Sequence, residues 1–212
     1  MINQEWPQEI NEVTNDWCYS KFKGLARTVD AVITKKVDGI DYILTIERKR
    51  GPDKGAYALP GGIVDAGEYS FHAAAREAYE EVGLSKDYLL SDEHLGTNSI
   101  NDSYLWDPRT PYGVRVYGYK YVVKDDWTPV AGDDALSYEW VTLDDLTDKG
   151  MAFLHMYWVN QSFSKEVGAD TAGKLIKRYT ADRMRQAMFI KEVNKKRVAD
   201  RQPTIPEGGN IE

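Results

Sequence analysis

Hydrophobic and polar positions change period several times along the 212-residue chain. Residues 1–24 hold no sustained period and read as an irregular or partly helical lead-in. From Arg27, the stretch RTVDAVITKKVDGIDYILTIERK places two β-branched runs on either side of Asp38-Gly39, which predicts a hairpin. A loop rich in glycine and proline follows, RGPDKGAYALPGG. The spacing then becomes helical from Ser70 to Val82, and Gly83 is placed to cap that helix. Val114–Val123 and Ser137–Leu143 read as further strands. From Asp144 or Asp145 a helix is predicted to run on through LTDKGMAFLHMYWVNQSF. Leu175, Ile176, Tyr179, Met184, Ala187, Met188, Ile190 and Val193 give the segment from Thr171 to Val198 helical spacing, before a mobile end, RQPTIPEGGNIE. No internal repeat is visible. Strands with few helices between them predict a mixed α/β sandwich rather than a regular βαβ array.

Composition narrows this reading. Hydrophobic residues make up 42% of the chain, enough to build a core. No uninterrupted apolar run reaches the ~18 residues that a membrane span needs. The N-terminal stretch MINQEWPQEINEV is polar and acidic, unlike a secretory signal. Cys18 is the single cysteine and has no partner for a disulfide, so a cytoplasmic setting is expected. Net charge is −7, unevenly spread. Residues 165–201 carry 11 basic and 5 acidic side chains, a local +6, which leaves −13 on the rest. A basic helical tail of this kind is expected to complement an acidic body or a second subunit; contact with nucleic acid is the less favoured use.

The charged chemistry concentrates in the helix from Ser70 to Val82. At ~100° per residue, Glu77, Glu80 and Glu81 fall within one arc of ~100°, together with Ala73. Phe71, Ala75, Ala78, Tyr79 and Val82 fall on the other side, the expected core face. Three clustered carboxylates repel one another unless a cation sits among them, and all-oxygen ligation suits Mg²⁺ or Mn²⁺.

From Gly62 the order is glycine, five residues, Glu68, seven residues, Arg76-Glu77, Ala78, one residue, Glu80-Glu81, one residue, Gly83 and Leu84. This order resembles the complete signature box of the Nudix hydrolases, with Ala78 where a larger aliphatic residue is more usual. The resemblance implies an α/β fold, a Nudix-type α/β/α sandwich with a mixed sheet, here with a C-terminal helical extension. It implies metal-assisted attack of water on a nucleoside diphosphate linked to another moiety. Glu77, Glu80 and Glu81 match metal-ligand positions, and the carbonyl of Gly61 would add a further oxygen. Glu68 and Arg76 match positions that brace the loop against the helix. Glu80 or Glu81 would serve as base, or else Asp133 or Asp134 of VAGDDA, as in branches that place the base on a distant loop.

YALPGGIVDAGE, DPRTPYGVRVYGY and AGDDALSYEWVTLDDL resemble the ADP-ribose pyrophosphatases, especially the branch that also holds regulators of NAD metabolism. MAFLHMYWV is similar to an AFDH stretch found there. The likeness covers residues 27–159, and it departs at GTNSIND, which lacks a proline common in that branch. It implies cleavage of ADP-ribose to AMP and ribose 5-phosphate by a homodimer. The alternatives are a Nudix-fold transcriptional regulator sensing an NAD metabolite, and an RNA-end or cap pyrophosphatase. Arg48, Arg50 and Lys54 are candidates for phosphate contact, as Arg109 is for substrate. Tyr112, Tyr117 and Trp106 are candidates for stacking on a base. His72, His94 and His155 lack metal-like spacing and read as surface or packing residues. The expected organisation is a lead-in over 1–24, a Nudix domain over 25–160, a basic helical extension over 161–201 and a tail over 202–212.

Overall fold

The computed structural model describes residues 26–49, 53–97, 114–130, 132, 135–163 and 166–199. The lead-in and the C-terminal tail fall outside them. Strands β1 (Ala26–Val37) and β2 (Ile40–Arg48) form the expected hairpin. Its turn is Asp38-Gly39, with φ of 50° and 81°. Both residues stand in the left-handed region that a tight two-residue hairpin turn requires.

Seven strands make one mixed sheet. Along its main path the order is β3 (Tyr57–Ala58), β2, β1, β6 (Val114–Val123) and β5 (Leu89–Thr97). The short β4 (Gly61–Ile63) pairs with β1, and β7 (Ala135–Thr142) pairs with β2. Strands β1 and β6 run parallel, and every other pairing is antiparallel.

Buried side chains run along both faces of β1. Val29, Ala31, Val32 and Ile33 are fully enclosed, as expected for a strand covered on both sides. Helix α1 (Ser70–Val82) packs on one face and α3 (His155–Phe163) on the other. Gly118 shows how close the second contact is: a Cβ there would lie 2.3 Å from a ring carbon of Trp158. The sheet between helices confirms the expected α/β/α sandwich. Helix α4 (Ala169–Ala199) packs along α3, within about two residues of its predicted bounds.

Three expectations need correction. The predicted helix through residues 144–163 is two helices, α2 (Leu143–Lys149) and α3. Gly150 (φ 76°) and Phe153 (φ 48°) lie between them in conformations that no helix continues. Thr142 caps α2 through a reciprocal capping box with Asp145. Strand β5 had no sequence counterpart, because it is an edge strand whose middle (Ser91, Asp92, Glu93, His94) is exposed and does not alternate. The third correction concerns the core face of α1. Its buried residues are Ala73, Ala74, Ala78 and Val82, whereas Phe71, Ala75 and Tyr79 are exposed. The buried arc is therefore rotated toward the glutamates, and it includes Ala73, which the wheel had set among them.

Among the described residues no helix is long and apolar enough to cross a membrane.

Candidate active site

The rotation of α1 has a chemical consequence. Glu77 and Glu81 stand at the boundary of the core, half-buried, and Glu80 is exposed. All three occupy the last two turns of the helix, where the negative end of the helix dipole adds to their mutual repulsion. Gly83 closes the helix in the left-handed conformation (φ 71°), donating its N–H to Tyr79 O at 2.8 Å, while Leu84 N–H reaches Ala78 O at 3.1 Å.

Arg76 offsets that repulsion. Its Nε and NH2 donate to the two oxygens of Glu68, each at 3.1 Å, and NH2 also donates to Ile63 O at 3.0 Å. NH1 donates to Glu77 Oε1 at 2.8 Å and to Glu80 Oε2 at 3.0 Å. One guanidinium thus ties the loop before α1 to the helix and engages one oxygen each of Glu77 and Glu80. Hydrogen bonding from Arg76 holds the Glu68 carboxyl below the usual range, and the same carboxylates raise Arg76. Burial pushes Glu77 up, against the pull of Arg76.

The turn before β4 completes the cluster. Glu81 Oε2 accepts the Gly61 N–H at 2.9 Å. A Cβ at Gly62 would lie 2.3–2.5 Å from the Glu77 carboxylate, so only glycine lets the carboxylate lie against the backbone there. On the helix's other side, Val130 N–H donates to Val82 O (3.0 Å) and Gly132 N–H to Glu81 O (2.8 Å). Gly132 directly precedes Asp133 and Asp134 in the chain; these two candidates lie outside the described residues, as do Arg50, Trp106, Arg109 and Tyr112.

The donor set suits a hard divalent cation. It is all oxygen, with four carboxylates gathered about the Arg76 guanidinium and the Gly61 backbone. Among the described residues no three acidic, imidazole or thiol groups converge as a ready-made cage. A cation would therefore have to draw Glu77 and Glu80 partly away from Arg76.

Arg48 is not among these glutamates. Its guanidinium stacks over the Phe153 ring, 4.4 Å from the centroid. Lys54 is exposed, and Tyr117 is half-buried beneath the Arg27 guanidinium at 5.5 Å.

A second polar cluster, which the sequence reading missed, lies behind the turn. Asp30 sits in the middle of β1 facing α3, and His155 and Trp158 meet it there. His155 is buried, its Nδ1 accepts the Leu59 N–H at 2.8 Å, and its Nε2 lies 3.7 Å from Asp30 Oδ1. Burial raises Asp30 to about 7, against a hydrogen bond from Trp158 and the charge of Arg48. Burial and the same Arg48 charge push His155 down to about 3. Reading His155 as a packing residue missed its hydrogen bond. The available signal was Asp30, the one acidic residue of β1, set within its apolar run.

A family model for the NUDIX domain matches residues 24–161. Among characterised relatives, the chain is 48% identical over 59 residues to an ADP-ribose pyrophosphatase of Methanocaldococcus jannaschii, covering 28% of this chain and 32% of that protein. It is 29% identical over 140 residues to the ADPR-responsive transcriptional repressor NtrR of Acinetobacter baylyi, covering 65% of this chain and 53% of the repressor. The chain thus spans about a third and about half of the length of these relatives. Among solved structures, the fold is similar to the NUDIX domain of Shewanella oneidensis NrtR complexed with ADP ribose, with a TM-score of 0.59 and 22% identity over 74% of this chain and 98% of that one.

Proposed function

The chain belongs to the NUDIX domain family, and on that premise we propose that it is a metal-dependent pyrophosphohydrolase that cleaves ADP-ribose to AMP and ribose 5-phosphate. One observation carries this reading: four carboxylates, Glu68, Glu77, Glu80 and Glu81, gather at a glycine turn around Arg76. The similarity to an ADP-ribose pyrophosphatase supports ADP-ribose as the substrate.

In this reading Glu77, Glu80, Glu81 and the Gly61 carbonyl hold Mg²⁺ or Mn²⁺. When bound, the ion neutralises diphosphate oxygens and lowers the pKa of a water. Water adds to one phosphorus as the bridging P–O bond breaks, and the leaving phosphate retains the bridging oxygen. Glu80 or Glu81, or else Asp133 or Asp134, takes the proton of the attacking water. Glu68 and Arg76 keep the loop and helix in register. Arg48, Arg50, Arg109 and Tyr112 are assigned to the substrate's phosphates and base. Residues 25–160 form the catalytic domain, 161–201 an extension and 202–212 a tail. A homodimer is favoured by Ile176, Met184, Met188 and Val198, which are exposed within one arc of ~120° along α4.

The second reading, a regulator that senses an NAD metabolite, is favoured by the likeness to the A. baylyi repressor. Against DNA contact, much of the positive charge of α4 is engaged within the chain. Arg178 reaches Asp182 and the carbonyls of Asp148 and Lys149, Arg185 reaches Asp53, and Lys174 reaches Asp170. Nothing comparable favours an RNA-end substrate.

Incubation with Mg²⁺ and a panel of ADP-ribose, NADH, nucleotide sugars and capped RNA tests the proposal. AMP and ribose 5-phosphate are expected from ADP-ribose ahead of the others. A protein that cleaves nothing in the panel but shifts duplex DNA in a salt-sensitive way is the regulator instead.

A further inference from the structure

We propose that His155 is a positioning residue for the cation-binding turn: its imidazole, accepting the Leu59 N–H, sets where the Gly61 backbone stands against Glu81. The proposal rests on the metal-assisted reading above and concerns the opposite side of the same turn.

The turn from Leu59 to Gly62 is held from two directions. In front, Gly61 N–H meets Glu81 Oε2. Behind, Leu59 N–H meets His155 Nδ1, and Pro60 O accepts Ala31 N–H at 2.8 Å. Pro60 has no N–H of its own, so Leu59 and Gly61 carry the donors that flank it. Their two acceptors, an imidazole nitrogen and a carboxylate oxygen, lie on residues 74 positions apart in the chain. With Nδ1 as acceptor, the ring carries its hydrogen on Nε2, the nitrogen that faces Asp30.

The backbone leading into His155 is strained, and it is tied to the same region. Phe153 adopts φ 48°, a left-handed conformation unfavourable for a bulky L-residue. Three contacts hold it there. Phe153 N–H donates to Asp53 Oδ2 at 2.9 Å, the Arg48 guanidinium covers its ring, and Ala152 N–H donates to Tyr57 O at 2.7 Å. All three partners lie on β2, β3 or the loop joining them. The strain is thus offset by contacts that fix residues 151–155 against the segment running into the turn. A residue that merely fills the core needs volume at position 155; a positioning residue needs an acceptor aimed at Leu59.

Two variants of the full chain separate these. His155→Asn keeps an acceptor oxygen near the place of Nδ1, and His155→Phe keeps the ring volume without an acceptor. Mn²⁺ affinity read by electron paramagnetic resonance, with melting temperature recorded alongside, is the primary measurement. His155→Phe is expected to weaken Mn²⁺ binding by about 10–100-fold, the usual range for a lost outer partner of a metal site. His155→Asn is expected to stay close to wild type. The proposal is overturned if His155→Phe binds Mn²⁺ as wild type does, or if His155→Asn loses as much as His155→Phe. Should the Phe variant not fold, ¹⁵N spectra of the wild-type imidazole decide: Nδ1 unprotonated and coupled to the Leu59 amide supports the proposal, and Nδ1 protonated overturns it. Wild-type protein that binds Mn²⁺ yet cleaves nothing in the panel removes the catalytic reading and leaves the positioning one standing. Wild-type protein that takes up no Mn²⁺ removes both.

Discussion

Two polar clusters hold one turn from opposite sides, and they differ in almost every physical respect. In front, Glu68, Arg76, Glu77, Glu80 and Glu81 are charged and in part open to water. Behind, Asp30, His155 and Trp158 are buried, and burial drives both titratable members toward neutrality. The front cluster is open enough for water, and on the proposed reading a mobile cation, to reach it. The rear cluster has no such freedom, since an unpaired charge there would carry its full desolvation cost. On the proposed reading this contrast is a division of labour: the front would do the chemistry and the rear would keep the backbone still while charges change nearby.

The comparison is sharpened or broken by measurements of decreasing size. Glu81→Gln should lower kcat by about 10²–10⁴-fold if Glu81 is a ligand or base, with the fold intact by circular dichroism; activity near wild type would strip the front of its role. Gly62→Ala puts a methyl group onto the Glu77 carboxylate. The carboxylate, at the far end of a flexible side chain, should swing aside at little cost in urea unfolding, and Mn²⁺ binding should weaken because Glu77 leaves its place. Unaltered metal affinity would mean that Glu77 need not lie against the turn.

Asp30→Asn tests the rear. Burial raises Asp30 from 3.8 to about 7 in the folded protein, so between those values the folded state binds more protons than the unfolded one. Asp30 therefore favours folding fully below pH 4, and that contribution is lost as pH rises to about 7. Relative to wild type, the Asn variant should gain stability from pH 4 to pH 8, by a few kcal/mol at most on the ~1.4 kcal/mol per pKa unit scale. A difference that stays flat across that range would show Asp30 to be solvated and the rear not to be dry. Thr142→Ala, which removes the capping box of α2, should cost about 1 kcal/mol and leave turnover unchanged; lost activity there would show that neither cluster acts locally.

Much of the front was legible in the sequence, because its members lie within 23 residues and their spacing repeats with the helix. Local periodicity placed Glu77, Glu80 and Glu81 on one side, and Gly83 marked where the helix stops. It did not show that Arg76 would stand between Glu77 and Glu80, since rotamers are settled by all the charges around them. The core face of α1 was also misjudged. Phe71 and Tyr79 are apolar enough to be assigned inside, but small Ala73, Ala74 and Ala78 let the helix approach the sheet closely, and the larger rings were left outside. The helix through 144–163 failed for another reason: its apolar residues continue in helical spacing across Gly150, but α2 stops there at a positive-φ glycine, and contacts from Asp53, Arg48 and Tyr57 hold residues 152–153 out of a helix before α3 begins.

By itself, then, the order of residues determined the hairpin at Asp38-Gly39, the glutamate helix with its cap, the long basic helix and the signature of the NUDIX domain family. All of these depend on neighbours a few positions apart. Tertiary structure alone decided that Asp30, Leu59 and His155 meet, that the exposed β5 closes one edge of the sheet, and that Arg185 of α4 turns inward to Asp53. Those pairings join residues tens to more than a hundred positions apart, and a buried partner exists for each only once the sheet and both helical layers have closed around it.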